Sequence, residues 1–463
     1  MINLKRNTKT PLTRQIYEQL RMRILKGDLK AGERLPSSRE LAISLNVSRI
    51  IVVEAYELLM AEGFLESVTG SGTYVAAGAC LNQHLILQSN HINNSLLVEN
   101  SIHPDLIDFR SGIPALELFP RKKWASIAHQ VCLDAPETLL SYDQPEGRFE
   151  LREVIAAYLG QTRGVACDPG QILITSGSVQ GLVLVAQTLL SPTVAVMVED
   201  PANRDIRKIF SATGARVIPV TVDELGIRTD RIYQDIKPGL IQVTPSHQFP
   251  LGGNLPIQRR IELVEFARTT GCYLVEDDYD SEFRYQGPPV SSLQGLDPDK
   301  VIYLGTFSKI LFPALRIGYL VAPWELVDKF RSLKRLSDMH TNSLNQLTLA
   351  QFIREGHLQR HIFRMKKVYQ KRRDALINSL QYHFPEEVKI IGAATGLHLV
   401  AEFINYEFNI TLLEKIAKKG LKVYPVESHS MIKGSHIKQL IFGYGHLKEE
   451  LIEKGIKRFR EVF

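Results

Sequence analysis

The chain has 463 residues, 44% of them hydrophobic and 23% charged, and a formal net charge of +6. That length exceeds one hydrophobic core and fits roughly two to four domains; the composition is globular and the charge too small for general affinity to polyanions. The opening residues MINLKRNTKTP hold no apolar signal core, and the longest apolar stretch, 181–198, is broken by Gln187, Ser191, Pro192 and Thr193. A cytoplasmic protein without membrane spans is expected. Cys80, Cys132, Cys167 and Cys272 lie far apart with no C-x-x-C pair, which predicts neither a disulfide framework nor a metal site.

Residues 11–26 place Ile16, Leu20 and Ile24 at helical spacing, with Arg14, Arg21 and Arg23 on other faces. Gly27 and the turn Lys30-Ala31-Gly32 end this helix. LPSSRELAISLNVS carries a second helix, capped by Ser37 or Ser38, with Glu40 in its first turn. Asn46-Val47 is a tight turn, and Ser48 is expected to cap a third helix over 49–62. Two short helices joined this closely have the spacing of a helix-turn-helix, whose second helix enters the major groove. Phe64-Leu65-Glu66 and Gly72-Thr73-Tyr74-Val75 alternate around Gly70 and Gly72, as a two-stranded wing does.

The pieces GERLPSSRELA, VSR, AYELLMAEGFL and GSGTYV resemble the winged helix-turn-helix domain of the GntR family over nearly all of 10–77. The resemblance implies double-stranded operator DNA as partner of a head at 1–76. Arg39, Ser48, Arg49 and the wing residues Gly72 and Thr73 are the expected contacts. Charge adds little, with eleven Lys and Arg against eight Asp and Glu in 1–76, a net of +3. The chain departs from the family at Ile50, Ile51, Val53 and Glu54, where polar or basic residues usually stand. Such side chains make no bidentate bonds to purines; they pack on thymine methyls, or serve as dimer or core contacts. Recognition then rests more on phosphate contacts and DNA shape.

Residues 77–107 mix Asn, Ser, His and isolated apolar residues without a period and read as an interdomain linker, with room for a short helix near 95–99. His84, His91 and His103 are ordinary linker histidines on this reading.

From 108 onward strands and helices alternate. Leu151, Ile155 and Leu159 mark an amphipathic helix, and QILITSGSVQGLVLVAQTLL reads strand, small-residue turn, helix. Such a turn offers backbone N–H groups and a helix N-terminus to an anion, here through Ser176, Gly177 and Ser178. VAVMVEDPA, RVIPVTV, LIQVTPSHQFPLGG and CYLVEDDYDSEF continue the series, which predicts a parallel, doubly wound α/β sheet with its site at the strand C-terminal ends. Asp277 ends one strand, where a carboxylate can pair with a protonated pyridine nitrogen; Tyr279 follows two residues on. VIYLGTFSKILFPALRIGYL then ends a buried strand in Thr306-Phe307-Ser308-Lys309, with Arg316 beyond. A lysine so placed can form a Schiff base, and the Thr306 and Ser308 hydroxyls and the Arg316 fork can hold a phosphate beside it. The basic helix from Met365 through Arg373 reads as a solvated face.

Asp277, Tyr279, the Ser176–Ser178 turn, Ser308, Lys309 and Arg316 in this order resemble a fold-type I aminotransferase, with a small C-terminal α+β subdomain over about 335–463. With the head included, the whole chain resembles the MocR subfamily of transcriptional regulators, GabR-like and PdxR-like proteins among them. This resemblance implies pyridoxal 5'-phosphate held as an aldimine on Lys309, and a head-to-tail homodimer in which Tyr142 reaches the partner's site. It implies a PLP-dependent DNA-binding regulator that senses PLP, an amine or an amino acid. The alternatives are a working aminotransferase carrying a DNA-binding head and a body that binds no cofactor. Phe249 replaces the usual asparagine before Pro250, leaving His247 or Tyr279 to serve the ring oxygen, and Asn203 replaces a stacking aromatic. VYPVESHSMIKG offers Ser428 and His429 where GabR-like proteins have an arginine; Arg204 is the remaining anchor. These losses point away from multiple turnover, leaving at most a half-reaction, and tilt the expected signal toward PLP itself or an amine without a carboxylate.

Overall fold

The computed structural model describes residues 2–79 and 105–463 apart from positions 7, 9, 234 and 289. The predicted helix at 95–99, the three linker histidines and Cys80 lie outside the described residues. Two compact units are present, Met1–Ser101 and Ile102–Phe463.

In the first unit, α1 (Leu12–Leu25), α2 (Ser38–Leu45) and α3 (Arg49–Ala61) enclose a core of Ile16, Leu20, Ile24, Val52, Ala55 and Leu59. Ser37 and Glu40 form a reciprocal capping box at the start of α2, the Glu40 amide donating to the Ser37 hydroxyl at 3.2 Å and the Ser37 amide to Glu40 at 2.8 Å. Asn46 ends α2 in the left-handed region, which turns the chain directly into α3. Ser48 stands at the N-cap of α3, but its side chain accepts no capping bond, so the predicted cap is positional only. Strands β1 (Leu65–Val68) and β2 (Gly72–Val75) pair antiparallel as the wing.

The second unit is built on an eight-stranded sheet. The chain passes through β3 (Ile107–Asp108), α4 (Arg121–Asp134) and α5 (Phe149–Arg163) before entering it at β4 (Ile172–Thr175). It continues through α6 (Ser178–Leu189), β5 (Ala195–Asp200), α7 (Arg204–Ser211), β6 (Arg216–Asp223), β7 (Gly226–Ile227) and β8 (Pro238–Val243). α8 (Ile257–Thr270), β9 (Tyr273–Asp278), β10 (Val301–Thr306) and β11 (Gly318–Val321) complete the layer, in the order β4-β11-β10-β9-β8-β5-β6-β7. The run from β10 through β9, β8 and β5 to β6 is parallel, as the alternation of strands and helices predicts. β11 and β7 are the corrections: β11 runs antiparallel to both β10 and β4, and the short β7 antiparallel to β6. Only 307–317 separate β10 from β11, too short for the parallel crossover of about a dozen residues or more that a helix requires.

After α9 (Trp324–Asp338) and α10 (Ser343–Arg354), α11 (His357–His383) leads to a second layer. That layer holds β12 (Val388–Ile391), β13 (His398–Phe403), α12 (Ile410–Lys418), β14 (Leu421–Lys422), β15 (Tyr424–Pro425), β16 (Gln439–Gly443) and α13 (Glu449–Arg460). Its four-stranded sheet runs β12-β13-β16-β15, while β14 pairs with β3. Two expected boundaries move. Leu349 and Phe352 of α10 pack in one core with Ile155 and Ile174, so the small layer begins later than 335. Ile107 and Phe109 are buried in the small layer's own core, so Ile107, read as the end of the linker, belongs to the body. The basic helix also differs from expectation. Arg372 donates to the Gly445 carbonyl and to Glu117, and Arg373 lies over the Tyr285 ring, both buried.

Phe459 joins Phe384, Phe403 and Phe442 at centroid distances of 5.6–5.8 Å and is fully buried. Phe459→Ala is expected to cost about 3–5 kcal/mol. Urea unfolding of the full chain, followed by far-ultraviolet circular dichroism, checks this; an unchanged midpoint would mean that α13 adds nothing to the small layer.

Candidate functional site

The C-terminal ends of β4, β5, β8, β9 and β10 open into a cavity of about 640 Å³. Its wall carries Gly177, Ser178, Asp277, Tyr279, Ser308, Lys309 and Arg316, and also Arg204, Ser428 and His429, which the sequence leaves far apart. Crevices at the carboxyl ends of such sheets are where this architecture places ligands.

Alternation along β9 decides what its three acids do. Glu276 and Asp278 face away from the cavity: Glu276 accepts from the Gln294 amide at 2.9 Å, and Asp278 from Arg163 at 2.8 Å and Tyr303 at 2.6 Å. Asp277 faces the cavity, and its Oδ1 is buried with no hydrogen-bond partner. Enclosure pushes the Asp277 carboxyl up to about 7; Asp278 adds to this and Lys309 opposes it.

Lys309 follows β10, and its Nζ donates to the Gly112 carbonyl at 2.8 Å. Burial lowers its pKa from the usual lysine value, against the pull of Asp280 and Asp277. The neutral amine is the nucleophilic form, and the shift is in its favour. A Cβ on Gly112, whose φ is +74°, would come within 2.7 Å of that Nζ, so glycine is required beside the lysine.

One corner of the cavity lies at the start of α6. Arg316 sits in the left-handed region at φ 54° and its Nη2 donates to the Ser176 carbonyl. Gly177, at φ +93°, lets the guanidinium close in: a Cβ there would be 3.1 Å from Nη1. Gly177, Ser178, Ser308 and Arg316 form the cradle. The Ser176 hydroxyl instead bonds Asp338 at 3.3 Å, and Ser176 is not on the wall. The orphaned Asp277 oxygen at one place and the glycine-lined guanidinium at another suit a protonated ring nitrogen and a phosphate, so the donor set fits pyridoxal phosphate.

His247 departs from expectation. It lies behind the wall, hydrogen-bonded through Nδ1 to Asp280 at 2.9 Å, and the Tyr279 hydroxyl donates to its carbonyl at 2.9 Å. Its side chain lies against Tyr279, ring beside ring, with Nδ1 3.1 Å from the tyrosine hydroxyl. His398, pushed down to about 3 by burial, lies beside it at 4.9 Å between ring centroids. Spacing along the chain gives no metal-ligand set near the acidic turn, yet the fold brings His247, Asp280 and His398 together, their ligand atoms within 4.8 Å. Asn203 spends its side chain on capping α7, accepting from the Asp205 amide at 3.0 Å. Tyr142 is 79% exposed and off this cavity's wall. The sequence reading passes over Arg110 and Ser111, which line the cavity, and Gly112, for which only the glycine is a local signal.

On the head, Arg39, Ser48 and Arg49 are exposed at the adjoining starts of α2 and α3, with Arg49 Nε donating to Ser38 at 3.3 Å. Ile50 is 67% exposed, Val52 is buried, and Ile51 packs on the core. Arg34, absent from the sequence reading, lies against the wing: a Cβ on Gly72 would be 2.9 Å from its Nε.

Asp277 yields a pH-dependent expectation. A carboxyl whose folded pKa is raised holds its proton more tightly when folded, so its stabilising contribution is present below the ordinary value of 3.8 and is lost as pH rises through about 7. Asp277→Asn is therefore expected to make the cofactor-free protein more stable than wild type at pH 8, the gain narrowing as pH falls below about 7. Thermal unfolding at several pH values tests this; a variant no more stable at pH 8 would mean that Lys309 already compensates the charge.

Comparisons with known proteins agree with this geometry. Residues 104–428 match the aminotransferase class I and II family, and 12–75 match the bacterial regulatory proteins of the gntR family. The probable rhizopine catabolism regulatory protein MocR of Rhizobium meliloti is 33% identical, covering 100% of this chain and 96% of its own. The pyridoxine biosynthesis transcriptional regulator PdxR of Corynebacterium glutamicum is 32% identical over 97% and 96%. Among solved structures, the α-aminoadipate aminotransferase LysN of Thermus thermophilus, complexed with N-(5'-phosphopyridoxyl)-L-leucine, superposes with a TM-score of 0.71 at 28% identity, covering 77% of this chain and 92% of that one. Among the described residues, no helix is long and apolar enough to cross a membrane. The chain belongs to the GntR-type transcriptional regulators whose DNA-binding head is fused to an aminotransferase class I and II body.

Proposed function

We propose that the body of this regulator binds pyridoxal 5'-phosphate at Lys309 and uses that site to sense the cofactor itself or an amine, changing how the head engages its operator. One observation carries the reading: Lys309, Asp277 and the Arg316 cradle line one cavity although they are scattered over the sequence. Pyridoxal phosphate supplies an aldehyde that condenses with amines and a cationic ring that draws electrons. In this reading Asp277 keeps a proton on the ring nitrogen, and Arg316, Gly177, Ser178 and Ser308 hold the phosphate. Tyr279, braced by His247 and Asp280, lines the cavity beside the ring, and Lys309 presents an amine whose pKa burial lowers. Arg204, Ser428 and His429 face the remaining space as effector contacts. Arg39, Ser48, Arg49, Gly72 and Thr73 contact DNA. The exposed Tyr142 ring serves the partner's cavity in a homodimer.

Purified protein is expected to show a visible absorption band that borohydride fixes covalently on Lys309. Lys309→Ala is expected to abolish the response of DNA binding to cofactor and amines while leaving operator affinity within a few-fold; an unchanged response would sink the sensing role of Lys309. Arg39→Ala and Arg49→Ala are each expected to lower the slope of log affinity against log salt by about 1. Titrations at several salt concentrations check this, and an unaltered slope would remove that residue from the interface.

A further inference from the structure

One buried charge has no part in the site described above. Lys334, on α9, is fully enclosed, although lysine is among the residues least often buried without a partner. Its Nζ donates to Asp338 Oδ1 at 2.6 Å and to the Thr341 hydroxyl at 3.2 Å. Burial lowers the Lys334 pKa, and the Asp338 contact opposes that fall. A buried ion pair adds little to stability by itself, because desolvation of the two charges offsets their attraction. What this pair supplies is a fixed acceptor at a particular place.

That place is the turn after β4. Asp338 Oδ2 accepts from the Ser176 hydroxyl at 3.3 Å. The Ser176 amide donates to Gln180 Oε1 at 2.8 Å, and the Ser176 carbonyl accepts from Arg316 Nη2. Every polar group of Ser176 is therefore spent on shaping the turn, and its neighbour Gly177 is the residue that reaches the cavity wall. The end of α9 also grips both flanks of this turn. Gln180 Nε2 donates to the Ser337 hydroxyl at 3.3 Å, and the Thr341 hydroxyl donates to the Ile174 carbonyl at 3.3 Å. Met339 stands at φ 61°, a conformation that costs energy for a residue with a side chain, and Asp338 and Thr341 on either side of it converge on one amine. The arrangement has an electrostatic consequence. Asp338 puts a carboxylate one hydrogen bond from the turn assigned to the phosphate, where like charges repel. Lys334, 2.6 Å from that carboxylate, cancels it.

We infer that Lys334 and Asp338 are positioning residues for the cofactor's phosphate: the pair holds the Ser176-Gly177 turn in its anion-binding shape while the lysine neutralises the carboxylate that does the holding. This rests on the cofactor reading above. Neither side chain lines the cavity, so both act through Ser176 and Gly177. Their effect is confined to the phosphate end of the ligand, so the pair sets the preference for pyridoxal phosphate over pyridoxal, the same aldehyde without that group.

The test uses full-length protein freed of cofactor and titrated with pyridoxal phosphate or with pyridoxal, each apparent affinity being read from the absorption band. Wild type is expected to favour pyridoxal phosphate by about a hundredfold or more, as several charge-assisted bonds to a phosphate provide. Lys334→Met leaves the carboxylate uncompensated and is expected to weaken pyridoxal phosphate about tenfold or more while pyridoxal stays within about twofold. Adding Asp338→Asn, which removes the charge but keeps an acceptor for Ser176, is expected to recover most of that loss. Adding Asp338→Leu instead, which removes the acceptor as well, is expected to recover little. If Lys334→Met alone does not fold, these two double variants carry the comparison. Equal losses for both aldehydes in Lys334→Met, two double variants with the same phosphate preference, or a wild type without that preference would overturn the inference, since a pair that merely stabilises α9 affects both ligands alike. Wild-type protein that takes up neither aldehyde fails the cofactor reading and takes the inference with it; borohydride reduction of wild type identifies that failure before any variant is compared.

Discussion

The body depends on keeping a lysine amine and a carboxylic acid in one enclosed cavity, each pushed toward its neutral form. Lys309 is lowered and Asp277 raised by the same loss of water, and each partly offsets the other. Such a pair is costly in a core and characteristic of a binding site. The surrounding architecture follows from this requirement. β9 and β10 run parallel and adjacent, so their C-terminal ends deliver Asp277 and Lys309 to the same edge. Arg163 and Tyr303 draw Asp278 away, which leaves Asp277 as the acid of β9 that faces the site.

Around that pair, glycines set the distances of approach. Gly112 admits the lysine, and Gly177 admits Arg316. Both stand at positive φ, so the backbone is shaped for close contact before any ligand arrives. Behind the wall, Asp280 and His247 are hydrogen-bonded, and the His247 carbonyl fixes the hydroxyl of the wall residue Tyr279. The replacement of asparagine by Phe249 is compatible with this layout: its ring packs against Tyr279, His398 and His429 and helps close the cavity wall on that side.

The head applies a different economy. Its core is mostly apolar, with the Tyr56 hydroxyl donating to the Pro36 carbonyl, and Arg39 and Arg49 stay exposed at the adjoining starts of α2 and α3. The capping box at Ser37 and Glu40 and the left-handed Asn46 fix the angle between α2 and α3. The exposed Ile50 on the first turn of α3 is suited to apolar contact with base edges, in keeping with thin hydrogen-bond readout.

Much of this was readable from the residues. Local chemistry sets the helix-turn-helix, the Ser-Gly-Ser turn, the acidic strand end at Asp277 and the Ser308-Lys309 turn, because each is a short pattern whose residues act on their own neighbourhood. Tertiary structure decided what depends on distant partners. The antiparallel β11 follows from the shortness of 307–317 only once its neighbours in the sheet are known. His247 and Ser176 read alike with the wall residues in sequence, yet packing turns the first toward Asp280 and the second toward Asp338. Arg372 and Arg373 read as a solvated face until carbonyls and Tyr285 close over them. Arg110 has no motif at all. Its Nε is held by the hydroxyl of Tyr424, more than three hundred residues away, a contact that no local pattern announces. Sequence determines which side chains can do chemistry; long-range packing determines which of their atoms remain free to do it.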